Sequence, residues 1–199
     1  AEAVAPMATT GYSLIELLFV LSTAATVSAM AVPPLVAALD DYRTAGAVRY
    51  ISTRIQRTRM EAVTRSTSAA MQFVQAGTDH SFGIYVDGNG DGVRTPDIKN
   101  GTDRRLGAVE RLPDNYAGVD FGLLSGLPPV DPGGPPPGTD PIKLGSSNLL
   151  SYSSSGTSSP GSVYIRGRSK AQYVIRILGD TGRTRVLKFD SHARQWKAL

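Results

Sequence analysis

Between residues 14 and 39 the chain reads LIELLFVLSTAATVSAMAVPPLVAAL, and Glu16 is the only charge in the run. The 19 residues ahead of the Pro33-Pro34 pair reach ~28 Å as a helix, at about 1.5 Å per residue. That is close to the ~30 Å hydrocarbon core of a bilayer, so the segment qualifies as a membrane span. A secretory signal peptide is the competing expectation. It needs a basic start, a shorter apolar stretch and a small-residue cleavage site. The upstream segment AEAVAPMATTG has no Lys or Arg, although Ser28-Ala29-Met30-Ala31 imitates a cleavage site.

A carboxylate inside an apolar helix costs roughly 2.5–3.5 kcal/mol on insertion scales unless it finds a partner, which marks Glu16 as a functional residue. The plainer reading is that it lies near enough to the helix end to reach the interface. Its surroundings, Gly11-Tyr12-Ser13-Leu14-Ile15-Glu16-Leu17-Leu18, resemble the processing site of type IV prepilins and type II secretion pseudopilins. The resemblance implies cleavage between Gly11 and Tyr12 by an aspartyl prepilin peptidase, followed by methylation of the new amine. Residues 1–11 would then be a leader. It also implies that Glu16 pairs with the amino group of a neighbouring subunit during assembly. Opposite charges meeting in a dry helix bundle fix register, because leaving either one unpaired is expensive. Pro33 stands where many pilin helices carry a kinking proline, and inside a helix proline removes a hydrogen bond.

With 199 residues the chain suits one moderate domain, and its 41% hydrophobic content suffices for a core. It has no cysteine, which excludes disulfides, thiolate zinc sites and a cysteine nucleophile. His80 and His192 lie far apart and are expected at the surface. The formal charge of +4 is unevenly spread, with balances of −4 over residues 1–42, +5 over 43–65, −4 over 66–165 and +7 over 166–199. A basic end of this kind suits phosphate, anionic lipid or an acidic partner, or is simply a solvated face.

Beyond the prolines the helix is expected to continue to about Arg65. Val48, Ile51, Ile55 and Ala62 share an arc at 3.6 residues per turn, while Arg43, Arg54, Arg57 and Arg65 cluster elsewhere. Those arginines are expected on a solvated face, with acids of adjacent subunits as the alternative. From Ser66 onward, short β-type runs are predicted at 69–75, 82–86, 119–124, 149–153, 162–166, 172–178 and 183–190. Residues 127–141 hold seven of the 13 prolines and are expected to form a long exposed loop. The predicted class is α+β, with a long hydrophobic N-terminal helix (12–65) packed on an all-β, sandwich-like domain (66–199).

Three further stretches sharpen the resemblance. Met60-Glu61-Ala62-Val63-Thr64-Arg65 before an apolar strand, the strand ending at Val86 before Asp87-Gly88-Asn89-Gly90-Asp91-Gly92, and the closing segments 152–165 and 179–185 are similar to the GspH/FimT pseudopilin family. That family implies a pilin helix carrying a β-sandwich-like domain. Asp87, Asn89 and Asp91, with the Val93 carbonyl, also match the opening of a calcium-binding EF-hand loop. The glutamate such a loop requires is replaced by Ile98, and the alternative is an Asx-rich hairpin turn. Gly182-Arg183-Thr184-Arg185 resembles the DNA-binding motif of FimT-type minor pilins. As a hairpin it directs Arg183 and Arg185 to one strand face about 6.6–6.8 Å apart, with Lys188 adding charge nearby. Guanidinium groups so placed bridge phosphates without reading bases, while the alternative is a pairing with Asp180 or Asp190.

The leading expectation is a structural one. It is a minor pseudopilin of a type II secretion pseudopilus, single-pass in a bacterial inner membrane with its C-terminal domain in the periplasm. Its partners would be other pseudopilins or pilins, prepilin peptidase, the assembly platform and membrane lipid. The alternative expectation is a type IV minor pilin that binds DNA for uptake in natural transformation. The sequence has no P-loop and no nucleophile-elbow pattern, and no enzymatic activity is expected.

Overall fold

The computed structural model describes residues 11–77, 79–145 and 147–199, so residues 1–10 of the expected leader lie outside the described residues. The chain divides into two units, Ala1–Leu39 and Asp40–Leu199. One helix, α1 (Leu14–Arg65), contributes to both and passes through Pro33 and Pro34 as helix. In the first unit every described side chain is exposed. Its hydroxyls are satisfied within the helix: Thr23 Oγ1 donates to the Phe19 carbonyl at 2.9 Å and Thr26 Oγ1 to the Ser22 carbonyl at 2.8 Å. Side chains that bond their own backbone in this way can sit in apolar surroundings without an unpaired donor.

In the second unit, the remainder of α1 packs against two antiparallel sheets. One has the order β3-β2-β1-β6, built from β1 (Ala69–Ala76), β2 (Asp79–Val86), β3 (Arg104–Arg111) and β6 (Leu149–Tyr152). The other has the order β10-β9-β8-β7-β4, with β5 also paired to β7. Its strands are β4 (Asp120–Phe121), β5 (Ile142–Leu144), β7 (Gly161–Arg166), β8 (Gln172–Leu178), β9 (Arg183–Asp190) and β10 (Gln195–Ala198). Thr44, Ala47, Val48, Ile51, Ile55, Thr58 and Ala62 are the buried stripe of α1 here, at the spacing of one helix face. The apolar members join Met71, Phe73 and Leu150 of one sheet and Ile165, Tyr173 and Ile175 of the other in a single core.

The expected α+β architecture is observed, and β8 and β9 have the predicted bounds. Several expectations need correction. The predicted strand 119–124 shrinks to Asp120–Phe121. Two short helices, α2 (Thr95–Asn100) and α3 (Leu112–Asn115), interrupt the β domain, each with a proline in its first turn, where a missing N–H costs nothing. Strand β3 escaped the pattern because its side chains are mostly exposed. Its register with β2 shifts between Phe82 and Ile84, and Gly107 opposite the shift has φ of +83°, as a bulge requires.

The proline-rich segment is not wholly exposed. Leu127 is buried and Val130 packs on Tyr164, Val174 and Leu187, on the side of the second sheet away from α1. Trp196 Nε1 donates to the Pro128 carbonyl at 3.0 Å, and Arg176 pairs with Asp131 at 2.8 Å. This segment therefore covers a sheet face. His80 is also buried, edge-on to Phe121 with ring centroids 5.9 Å apart, whereas His192 is exposed as expected.

Candidate assembly helix and exposed arginine hairpin

The first candidate site begins at Gly11, with Tyr12 84% exposed beside it. Ser13 precedes the first helical residue, and its backbone N–H donates to Glu16 Oε2 at 2.9 Å. Ser13-Leu14-Ile15-Glu16 therefore forms the glutamate half of an S-x-x-E capping box. The spacing was legible in the sequence and gives Glu16 a local role beside the proposed assembly role. A carboxylate in the first turn also meets the positive end of the helix dipole. The adjoining helix is long and apolar enough to cross a membrane, and its apolar window is wholly exposed.

Where α1 enters the second unit, two adjacent acids fix it. Asp40 is buried, and its two carboxylate oxygens accept the backbone N–H groups of Arg168 and Ser169, each at 2.9 Å. Gly167 allows this approach, since a Cβ there would lie 2.8 Å from both Asp40 oxygens. Asp41 accepts from the Tyr173 hydroxyl at 3.0 Å and from Lys188 Nζ at 2.7 Å. The hydrogen bond to Asp41 raises the Lys188 pKa above its ordinary value despite partial burial. Burial, reinforced by the Asp41 charge, raises that of Tyr173.

The arginines of α1 do not form one solvated face. Arg54 Nη2 donates to Glu110 Oε1 at 2.5 Å and to the Tyr50 hydroxyl at 2.9 Å. The Tyr50 hydroxyl donates to the same carboxylate, and burial followed by this bond raises its pKa. Arg57 and Arg65 lie 3.8 and 2.9 Å from Glu61 oxygens. Arg43, Arg57 and Arg65 are exposed, as expected, and so is Arg49; Arg43 and Arg49 form no ion pair among the described residues, and the half-buried Arg54 is the departure.

The second candidate site is the hairpin joining β8 and β9. Register pairs Arg176 with Arg185 and Leu178 with Arg183, which places both hairpin arginines on the side of the sheet away from α1. Both are exposed and form no ion pair among the described residues, so neither pairs with Asp180 or Asp190. Lys188 does not join them. It lies opposite Tyr173 on the side facing α1 and is held by Asp41. The expected trio is therefore a pair, because residues of opposite parity in a strand face opposite ways.

Asp190 is instead bonded by Lys197 Nζ at 2.6 Å and by the backbone N–H groups of His192 and Ala193. The Lys197 bond first, and these N–H groups next, lower its pKa from 3.8 to about 2. A lowered carboxylate pKa stabilises the fold above its unfolded value, and that stabilisation is lost as pH falls through the folded value. Asp190→Asn is accordingly expected to flatten the stability profile between pH 3.8 and about 2, as read by acid unfolding.

Asp87, Asn89, Asp91 and Val93 fold as an Asx-rich turn. Asp87 Oδ1 accepts the N–H groups of Asn89 and Gly90 at 3.1 and 2.7 Å, and Oδ2 accepts that of Gly92 at 2.9 Å. Asp91 pairs with Arg94 at 2.9 Å. Buried Asp103 accepts the N–H groups of Gly88 and Arg94 at 3.2 and 2.9 Å. Among the described residues no three His, Asp or Glu side chains converge as a metal site, and the bonds of Asp87 and Asn89 are those of an Asx-rich hairpin turn.

Neither protein-family models nor curated proteins match the sequence, and no solved structure matches the chain.

Proposed function

We propose that this chain is a pilin-like structural subunit, a minor pseudopilin of a type II secretion pseudopilus. Prepilin peptidase cuts after Gly11, and α1 inserts in the inner membrane with the β domain in the periplasm. Subunits then polymerise through α1, with Glu16 of one meeting the Tyr12 amine of the next. The observation that carries this reading is the Gly11-to-Glu16 motif leading directly into an exposed apolar helix. Among the described residues of its own unit nothing buries that helix, and a membrane followed by neighbouring helices supplies a cover. N-terminal sequencing of the mature protein tests it. A methylated Tyr12 is the expected first residue, and a start near Val32 would identify an ordinary exported protein.

That Arg183 and Arg185 form no ion pair among the described residues favours a second reading, a minor pilin that captures DNA. Arg183→Ala with Arg185→Ala is expected to weaken duplex binding uniformly across sequences and reduce the salt slope by about 2, roughly 1 per phosphate contact. Filament assembly should remain intact. An unchanged slope in a binding titration over salt concentration would remove this reading.

A further inference from the structure

The turn after β7 carries Arg168 and Lys170, both exposed and without an ion pair among the described residues. Its backbone is tied to Asp40 by the two 2.9 Å hydrogen bonds described above. Asp40 immediately follows the apolar run, and Tyr42 and Arg43 lie within the next helical turn, with Tyr42 76% exposed. Arg43 is exposed and likewise forms no ion pair among the described residues.

Chain arithmetic sets the depth of these groups. Taking Leu39 as the end of the hydrocarbon-soluble segment, Arg43 lies about 6 Å further along the helix. One headgroup layer is about 5–7 Å thick. The turn is bonded to Asp40, one residue past Leu39, so chain connectivity keeps three cations and an amphipathic aromatic within reach of the headgroup phosphates. Tyrosine is enriched at this depth, and basic side chains beside a span attract anionic lipid.

The neighbouring acids leave these cations available. Asp41 is committed to Lys188, and Asp40 spends both oxygens on backbone N–H groups. Arg166, the last residue of β7, stands opposite Asp120 in the strand register. Burial raises the Asp120 pKa, while the Phe121 backbone N–H bonded to it and the Arg166 charge oppose that rise.

We infer that Arg43, Arg168 and Lys170 form a cationic collar that docks the base of the β domain on anionic phospholipid headgroups. This rests on the membrane reading of α1 and adds a lipid preference to it. Docking orients the domain on the bilayer before the subunit enters a filament.

The absence of cysteine permits a clean test with the full chain in nanodiscs. A spin label at Ser169→Cys reports contact with a nickel-chelating headgroup lipid, and a second label at Val20→Cys reports hydrocarbon depth. With phosphatidylglycerol included so that the bilayer surface is negative, the Ser169 label should be mostly headgroup-docked. In pure phosphatidylcholine it should be largely free. Arg43→Gln, Arg168→Gln and Lys170→Gln should each lower the docked-to-free ratio roughly fivefold. Arg49→Gln, about 15 Å from Leu39 along the helix, should leave the ratio unchanged.

Equal docking in both lipids, or none lost in the triple variant, would overturn the collar while the Val20 label still reports insertion. Release of the docked label by duplex DNA through the same three residues would reassign the collar to nucleic acid. A water-exposed Val20 label would remove the membrane reading and the collar with it.

Discussion

Glu16→Gln is expected to abolish filament assembly in cells without a wild-type copy, while α1 still begins at Leu14. The two roles of Glu16 separate in this variant. Glutamine accepts the Ser13 N–H as glutamate does, so the capping box survives. The charge disappears, and in the proposed filament the Tyr12 amine of the adjoining subunit is left without its counter-ion. Removing one partner of a buried ion pair costs about 3–5 kcal/mol, and the cost recurs at each subunit contact. Polymers amplify a penalty at each junction, so assembly should be lost outright rather than reduced. Sheared-filament immunoblots read assembly, and circular dichroism of the full chain in micelles reads the helix. Normal filaments from the glutamine variant would leave Glu16 with its capping role alone.

Ile51→Ala is expected to destabilise the β domain by about 2–5 kcal/mol, the range for emptying a buried aliphatic site. Ile51 has no exposed surface and belongs to the core that α1 shares with both sheets. Collapse around the cavity is opposed from both directions along the helix. Asp40 is bonded to the turn after β7, and Arg54 is tied to Glu110 on β3. A loss of this size is a large share of a typical 5–15 kcal/mol total. Trp196, the single tryptophan, packs on Tyr164 and Phe189 and reports urea unfolding of the detergent-solubilised chain. Met60→Ala, at a position 65% exposed on the same helix, should change stability by less than about 0.5 kcal/mol. Equal effects at the two positions would show that α1 does not pack as described.

The parts legible in advance were those where side-chain pattern and burial coincide. The helix end at Arg65, the stripe through Ile51 and Ile55, and strands β8 and β9 all place apolar residues at the period of their own backbone. Strands β3 and β10 break that rule. They are edge strands with mostly exposed side chains, and their existence depends on pairing with β2 and β9 rather than on their composition. Strand β5 is only three residues long, too short to present a period. For the candidate sites, the Ser13-to-Glu16 spacing already contained the cap, and strand parity already separated Lys188 from Arg183 and Arg185.

Sequence alone determined the apolar run, the motif before it, the face of α1 that must be buried and the shared face of Arg183 and Arg185. These follow from local chemistry and backbone periodicity, which need no knowledge of distant residues. Tertiary structure decided which charges are free. It joined Asp41 to Lys188 and Arg54 to Glu110, and it laid the proline-rich segment over a sheet face. Ion pairs and covers between residues far apart in the chain depend on how strands order themselves in space, and strand order leaves no periodic mark in the sequence.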